Sequence, residues 1–233
     1  MSAPANLAIA HRRVEPVDSL DYFPTPPWAV RALFHHVLGR RRFLDLTVAD
    51  PACGEGHMAY GLEDFFGEVR ASDIYPHGYG EVRDFLDPAA WLDIERPDWI
   101  VTNPPFGALS ARFMVRAIEM ALLGVAMFVR ATQMAGITRW RKVYRPFPPY
   151  LIAQFVERVP LHKGRWEPGG DTLTDYCWIV WRKRRDTGAL ISPRPPVWIP
   201  PCRHELHFAR DVERFGHTIW SPVPWLRDAK GAP

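Results

Sequence analysis

No stretch of the 233 residues approaches the roughly 20 continuous apolar residues that a membrane span needs. The first ten residues lack a charged segment followed by an apolar core, so no secretory signal is expected. Cysteine is scarce: Cys53, Cys177 and Cys202 are an odd set without Cys-x-x-Cys spacing. That excludes a disulfide framework and argues against a zinc site, and a reducing cytoplasm suits such a chain best. No internal repeat is present. Charge of one sign does not dominate either, since the net charge is +3. This permits a nucleic-acid partner without demanding one. What the chain has in excess is 24 prolines and 10 tryptophans. Most tryptophans in a folded domain of this size are core, and a few are free to stack on bases. Basic residues gather at Arg40–Arg42, Arg139–Arg145 and Arg182–Arg185, where solvated helix ends explain them as well as a ligand does.

The most constrained stretch is Asp98-Trp99-Ile100-Val101-Thr102-Asn103-Pro104-Pro105-Phe106-Gly107. A buried strand runs into an amide, and two prolines then restrict the backbone around it. Asn103 is thus held stiffly at the carboxyl end of a strand, which is where open α/β sheets bind ligands. Its side-chain oxygen and the Pro104 carbonyl are placed to accept from one amino group, while Phe106 offers a flat ring.

The remainder predicts the sheet around that strand. Residues 1–20 lack periodicity and read as a flexible arm. Thr25 suits a helix N-cap and Pro26 the first helical position, followed by an amphipathic helix (Val30, Leu33, Phe34, Val37, Leu38) closed by Gly39. Phe43 to Ala49 reads as a central strand, then Asp50-Pro51-Ala52-Cys53-Gly54-Glu55-Gly56 as a small-residue turn, then a helix over residues 57–66. Strand, glycine turn and helix make a first nucleotide-binding unit. Residues 68–72 predict a second strand ending in Asp73 and Ile74, with Asp73 placed to accept from ribose hydroxyls. Residues 81–86 predict a short third strand carrying Asp84 and Phe85, an acceptor beside a ring, suited to an adenine. Ser110 is expected to cap a helix, residues 124–130 to form a buried fifth strand, and the basic segment 132–145 to be helical until the prolines stop it. Residues 151–159 and 176–181 complete seven strands. The polar loop 161–174 between them makes Lys163, Arg165 and Trp166 candidate substrate contacts, although a plain hairpin connection accounts for it equally. Residues 186–233 read as an irregular Pro/Trp-rich extension packed on a domain spanning 21–185, too short for a core of their own.

With these residues in hand, the chain resembles the class I S-adenosylmethionine-dependent methyltransferases, and among them the N6-adenine DNA methyltransferases. Thr25-Pro26-Pro27 is similar to their motif X, Asp50 to Gly56 to motif I, Asp73 to the acidic end of motif II, Asp84-Phe85 to motif III, and Asn103-Pro104-Pro105-Phe106 to motif IV in its NPP[FY] form. The motif order matches the γ arrangement. The resemblance covers residues 22–183, and residues 186–233 are too few for the family's usual recognition domain. A compact phage- or prophage-type enzyme of relaxed specificity fits that shortage.

The resemblance implies a Rossmann-like, doubly wound, seven-stranded, mostly parallel sheet. It implies S-adenosyl-L-methionine bound by Thr25, Pro26, the Asp50–Gly56 turn, Asp73, Ile74, Asp84 and Phe85. It also implies a DNA adenine at Asn103, Pro104, Pro105 and Phe106, with no metal and no membrane. RNA adenosine is a less favoured partner, a protein glutamine amide less favoured still, and a methyltransferase-like binding module without catalysis is the reading from another class. Oligomeric state, recognition sequence and strand preference are open at this level.

Overall fold

The computed structural model describes residues 22–40 and 43–216. The arm expected over residues 1–20 lies outside them, as do Arg41 and Arg42 of the first basic cluster.

Eight strands form one sheet: β1 (Phe43–Asp50), β2 (Phe66–Asp73), β3 (Glu81–Val82), β4 (Trp99–Thr102), β5 (Gly124–Arg130), β6 (Leu151–Phe155), β7 (Tyr176–Arg182) and β8 (Val197–Ile199). Their order is β3-β2-β1-β4-β5-β7-β6-β8. All neighbours are parallel except β7, which runs antiparallel to both β5 and β6. The strand order reverses between β1 and β4, so the carboxyl ends of these two strands flank the crevice where such sheets bind ligands. The register there is pinned by a reciprocal pair: the Thr47 amide donates to Asp98 Oδ2 at 3.0 Å and the Asp98 amide to Thr47 Oγ1 at 3.0 Å. Above it, Val48 pairs with Trp99 and Ala49 with Ile100, which brings Asp50 beside Thr102 and Asn103.

Helices cover both faces. Helices α1 (Pro27–Leu33) and α2 (His57–Leu62) pack with Val48, Val101 and Phe128 on one side, and α3 (Leu109–Met120) packs with Ile100, Val125 and Ile179 on the other. Strands β5 and β7 are buried along nearly their whole length, as continuous apolar runs require when both faces are covered.

The eighth strand corrects the seven expected. It comes from the segment expected to be irregular, which also carries helices α4 (Arg203–Leu206) and α5 (Ala209–Phe215). A buried arginine ties that segment down. Arg31 is 1% exposed, and its guanidinium donates to both carboxylate oxygens of Asp211, to Asp64 Oδ2 and to the Leu206 carbonyl. Side-chain pairing between residues 180 apart leaves no local pattern, so periodicity misses it. Three smaller expectations also shift. The third strand stops at Val82, Pro26 rather than Thr25 holds the N-cap position with Pro27 first in the helix, and Ser110 sits inside the first turn of α3 rather than capping it. Gly39 does end the first helical run, at φ 90°, after a π-helical turn over Phe34–Leu38.

Candidate active site

A cavity of about 310 Å³ opens at the carboxyl ends of β1, β2 and β4. That is within the range of small-ligand sites. Its walls include Thr25, Cys53, Asp73, Ile74, Phe85 and Asn103, so residues far apart in the chain meet there.

Asn103 is the best-defined group. Its Nδ2 donates to the Phe23 carbonyl at 3.2 Å and to Thr25 Oγ1 at 3.0 Å. A backbone carbonyl can only accept, so the amide must present its nitrogen on that side. The other end, Oδ1, is buried without a hydrogen-bond partner. Burying an amide oxygen unpaired costs about 1–3 kcal/mol, and such a group at a cavity wall is an acceptor waiting for a donor. Thr25, expected as a helix cap, instead orients this amide.

Asp50 lies beneath. It is fully buried, and Oδ1 accepts from the Thr102 hydroxyl at 2.8 Å and from the Ala52 amide at 3.4 Å, while Oδ2 has no partner. Burial pushes its carboxyl up to about 7, against the lowering effect of those two donors, with Asp73 adding to the rise. Asp50 does not line the cavity; it braces the turn and the end of β4 from behind. Because its folded value stands above the unfolded one, the protonated form carries the stability. That stability is present in full below about pH 4 and is lost as pH rises through about 7. We expect the loss to reach at most about 4 kcal/mol, and Asp50→Asn to flatten it. Urea denaturation of both proteins at pH 5 and pH 8 checks this, and an unchanged pH dependence in the variant refutes it.

Asp73 ends β2 at the cavity wall. Its Oδ2 accepts from the Gly54 amide at 2.9 Å and its Oδ1 from the Tyr75 amide at 3.1 Å. The acid therefore shapes the glycine turn as well as facing the cavity, and each oxygen keeps a further lone pair. Gly54 has φ +52°, and a methyl group there would meet the Tyr22 ring at 2.2 Å. Neither Gly54 nor Gly56 reaches the cavity surface, so their contribution is the path of the turn.

The remaining candidates divide. Pro51, Ala52, Asp84 and Pro105 join the lining, and Asp84 Oδ1 also accepts from the Leu86 amide at 2.7 Å. Phe85 closes a wall, but its ring is 1% exposed and packs against Trp91 and Phe113, making it a fixed apolar surface rather than an open platform. Pro26 and Pro104 are not in the lining. Phe106 stands outside it too, with the Arg130 guanidinium 4.2 Å over its ring and Phe23 tilted against it at 4.9 Å. Pro104 and Phe106 nonetheless follow Asn103 within three residues of the chain.

Trp166 needs correcting as a substrate contact. It is 2% exposed, stacked on His207 and edge-on to His57 and Phe215. The segment carrying α4 and α5 brings in His207 and Phe215 while His57 comes from α2, so the extension turns an apparently exposed loop tryptophan into core. Lys163 and Arg165 stay near the surface, Arg165 paired with Glu167. Their loop leaves β6 at the catalytic end of the sheet, and the Gly164 amide donates to the Tyr22 carbonyl at 2.9 Å. Motif reading passed over Tyr22, Phe23, His57, Tyr75 and His77, all of which line the cavity. The Tyr22 ring is tilted against His77 at 4.7 Å, and its hydroxyl lies 3.5 Å from His57 Nδ1. Their signal was their nearness to the motifs.

No family model and no curated protein matches the chain. Solved structures do. A type I restriction-modification methyltransferase subunit from Streptococcus thermophilus superposes with a TM-score of 0.53 at 10% identity, covering 82% of this chain and 50% of that one. A modification subunit assigned to a type I restriction enzyme from Vibrio vulnificus YJ016 superposes at 0.50 with 17% identity, covering 68% and 44%. With the reversed β7 beside β5, this decides the architecture. The chain has the class I methyltransferase fold. The chain spans about half the length of the two structures, and at these identities the likeness is one of fold. Within the methyltransferase fold, β8 is an added edge strand beside β6. No helix among the described residues is long and apolar enough to cross a membrane.

Proposed function

We propose that this chain transfers a methyl group from S-adenosyl-L-methionine to the exocyclic N6 of an adenine flipped out of DNA. The observation that carries the reading is the Asn103 amide: nitrogen pinned by Phe23 and Thr25, oxygen buried and unpartnered at the cavity. An amino group donating one hydrogen to that oxygen and the other to the Pro104 carbonyl satisfies the orphan acceptor.

The residues also fit the cofactor. Asp73 offers free lone pairs to ribose hydroxyls, Asp84 an acceptor to the adenine amino group, and Phe85 with Ile74 an apolar wall to the ring. The cofactor supplies an electrophilic methyl on a sulfonium. The chain's part concerns the nitrogen. The N6 lone pair is delocalised into the adenine ring, and two acceptors at Asn103 and Pro104 favour a pyramidal nitrogen whose lone pair faces the methyl. Both hydrogen bonds strengthen as positive charge develops on nitrogen, which is differential binding of the transition state. Flipping the base costs a few kcal/mol, and stacking on Phe106 offsets about 1–3 kcal/mol of it. The titration of Asp50 is not part of this chemistry, since it faces Thr102 and not the acceptor.

The test is methyl transfer from labelled S-adenosylmethionine to unmethylated duplex DNA, with ribosomal RNA and a protein lysate in parallel. Label recovered from DNA as N6-methyladenine supports the reading. Label only in RNA or protein retains the Asn103 chemistry and overturns the DNA substrate.

A further inference from the structure

The sequence holds two dense basic clusters of similar appearance, and the sheet sends them to opposite ends. Arg182 pairs with Gly124 at the start of β5, so Arg182–Arg185 lie at the edge away from Asn103. Lys183 there donates to the Ala121 carbonyl at 2.7 Å. The other cluster follows Arg130, at the carboxyl end of β5, on the side of the cavity. From Met120 to Val156 there is no aspartate or glutamate, while Arg130, Arg139, Arg141, Lys142 and Arg145 fall in that span.

The segment is anchored beside the reaction centre. Arg130 stacks over Phe106, and Ser110 Oγ, in the first turn of α3, donates to Gln133 Oε1 at 3.3 Å. Arg139 Nη1 then donates to the Gln133 carbonyl at 3.0 Å and to the Ala135 carbonyl, and the Tyr144 hydroxyl to the Gln133 carbonyl at 2.8 Å. Arg139 is thereby a structural staple, and Val143 is buried. These bonds leave a fixed outer surface. Trp140 is 52% exposed and Ile137 72%, Arg141 and Lys142 are exposed, and the Arg145 guanidinium lies 5.6 Å over the Trp140 ring. Ile137 and Trp140, three residues apart on one helical run, expose apolar surface side by side, and such contiguous surface marks an interaction site. Cations interleaved with an aromatic ring are the chemistry that grips a polyanion carrying flat bases.

We infer that residues 137–145 form the DNA-contacting surface of this chain, with Arg141 and Lys142 on phosphates and Trp140 stacked on a base beside the target. This rests on the DNA reading above for its partner. A surface rich in cations and free of acids over 37 residues is complementary to duplex DNA.

The experiment measures binding of a fluorescent DNA duplex, and of an RNA of the same sequence, by anisotropy across a salt series, with S-adenosylmethionine affinity measured by calorimetry on the same proteins. For Arg141→Ala/Lys142→Ala we expect weaker binding and a log–log salt slope shallower by about 1.8, close to 0.9 for each phosphate no longer neutralised. For Trp140→Ala we expect about tenfold weaker binding with the slope unchanged, and Trp140→Phe restoring most of it. Cofactor affinity stays at the wild-type value throughout. Arg184→Ala/Arg185→Ala, at the far edge, stays within about twofold. Wild-type affinity and slope in the 140–142 variants, or an equal loss in the far-edge variant, overturns the inference. A loss confined to RNA also overturns it. The predicted losses on DNA in a protein that transfers no methyl to DNA support this surface and overturn the proposed substrate instead. Methyl transfer to DNA with unaffected variants does the reverse.

Discussion

Replacing Asn103 by alanine is expected to lower turnover by about 100- to 1,000-fold, the cost typical of removing one preorganised group that meets charge in a transition state. The loss should fall on kcat, because the bond from N6 to Oδ1 gains most as the nitrogen becomes positive. Cofactor affinity should stay within about threefold, since Asn103 is assigned to the target. Alanine removes both the free acceptor and the donor held by Phe23 and Thr25, so a second variant separates the two. Asn103→Asp keeps an acceptor at the Oδ1 position but sets a carboxylate oxygen against the Phe23 carbonyl, where only a donor fits. Its activity should lie between the two and recover at low pH, where the protonated acid can donate. Turnover near wild type in Asn103→Ala ends the assignment of this residue.

The second large effect concerns Asp73. Its alanine variant is expected to bind S-adenosylmethionine about 10- to 100-fold more weakly, the equivalent of losing a hydrogen bond to a charged group. Two causes would produce that result: loss of an acceptor for ribose, and loss of the bonds that Asp73 receives from the Gly54 and Tyr75 amides. An analogue without ribose hydroxyls distinguishes them. If Asp73 binds ribose, wild type and variant should bind that analogue almost equally. If the acid only shapes the turn, the variant should be weaker for both ligands, with a lower melting temperature. Unchanged affinity for S-adenosylmethionine removes Asp73 from the site.

The motifs were legible because each has a local physical signature. Asn103 between a buried strand and two prolines, Gly54 after a strand, and Asp73 at a strand end need only neighbours in the chain to be recognised. Partners at long range were not legible. Thr25 satisfies the pattern of a helix cap, yet its hydroxyl is taken by Asn103, 78 residues away. Trp166 sits in a polar loop and looks available, yet residues 207 and 215 enclose it. Phe106 looks like an open ring, yet Arg130 lies over it. The strand Val197–Ile199 was hidden for a different reason: three residues are too few to show alternation, and it forms because β6 presents an edge to pair with.

By itself the sequence determined the periodicities, the turns and the chemistry that each strand end carries, all set by backbone sterics and by which residues prefer water. Tertiary structure decided which of those groups meet. Asp50 became a buried, half-satisfied carboxyl because β4 laid Thr102 against it. One basic cluster came to the catalytic side and the other to the far edge because β7 runs antiparallel to β5. Packing energy depends on surfaces brought together from distant parts of the chain, and a local pattern does not contain that information.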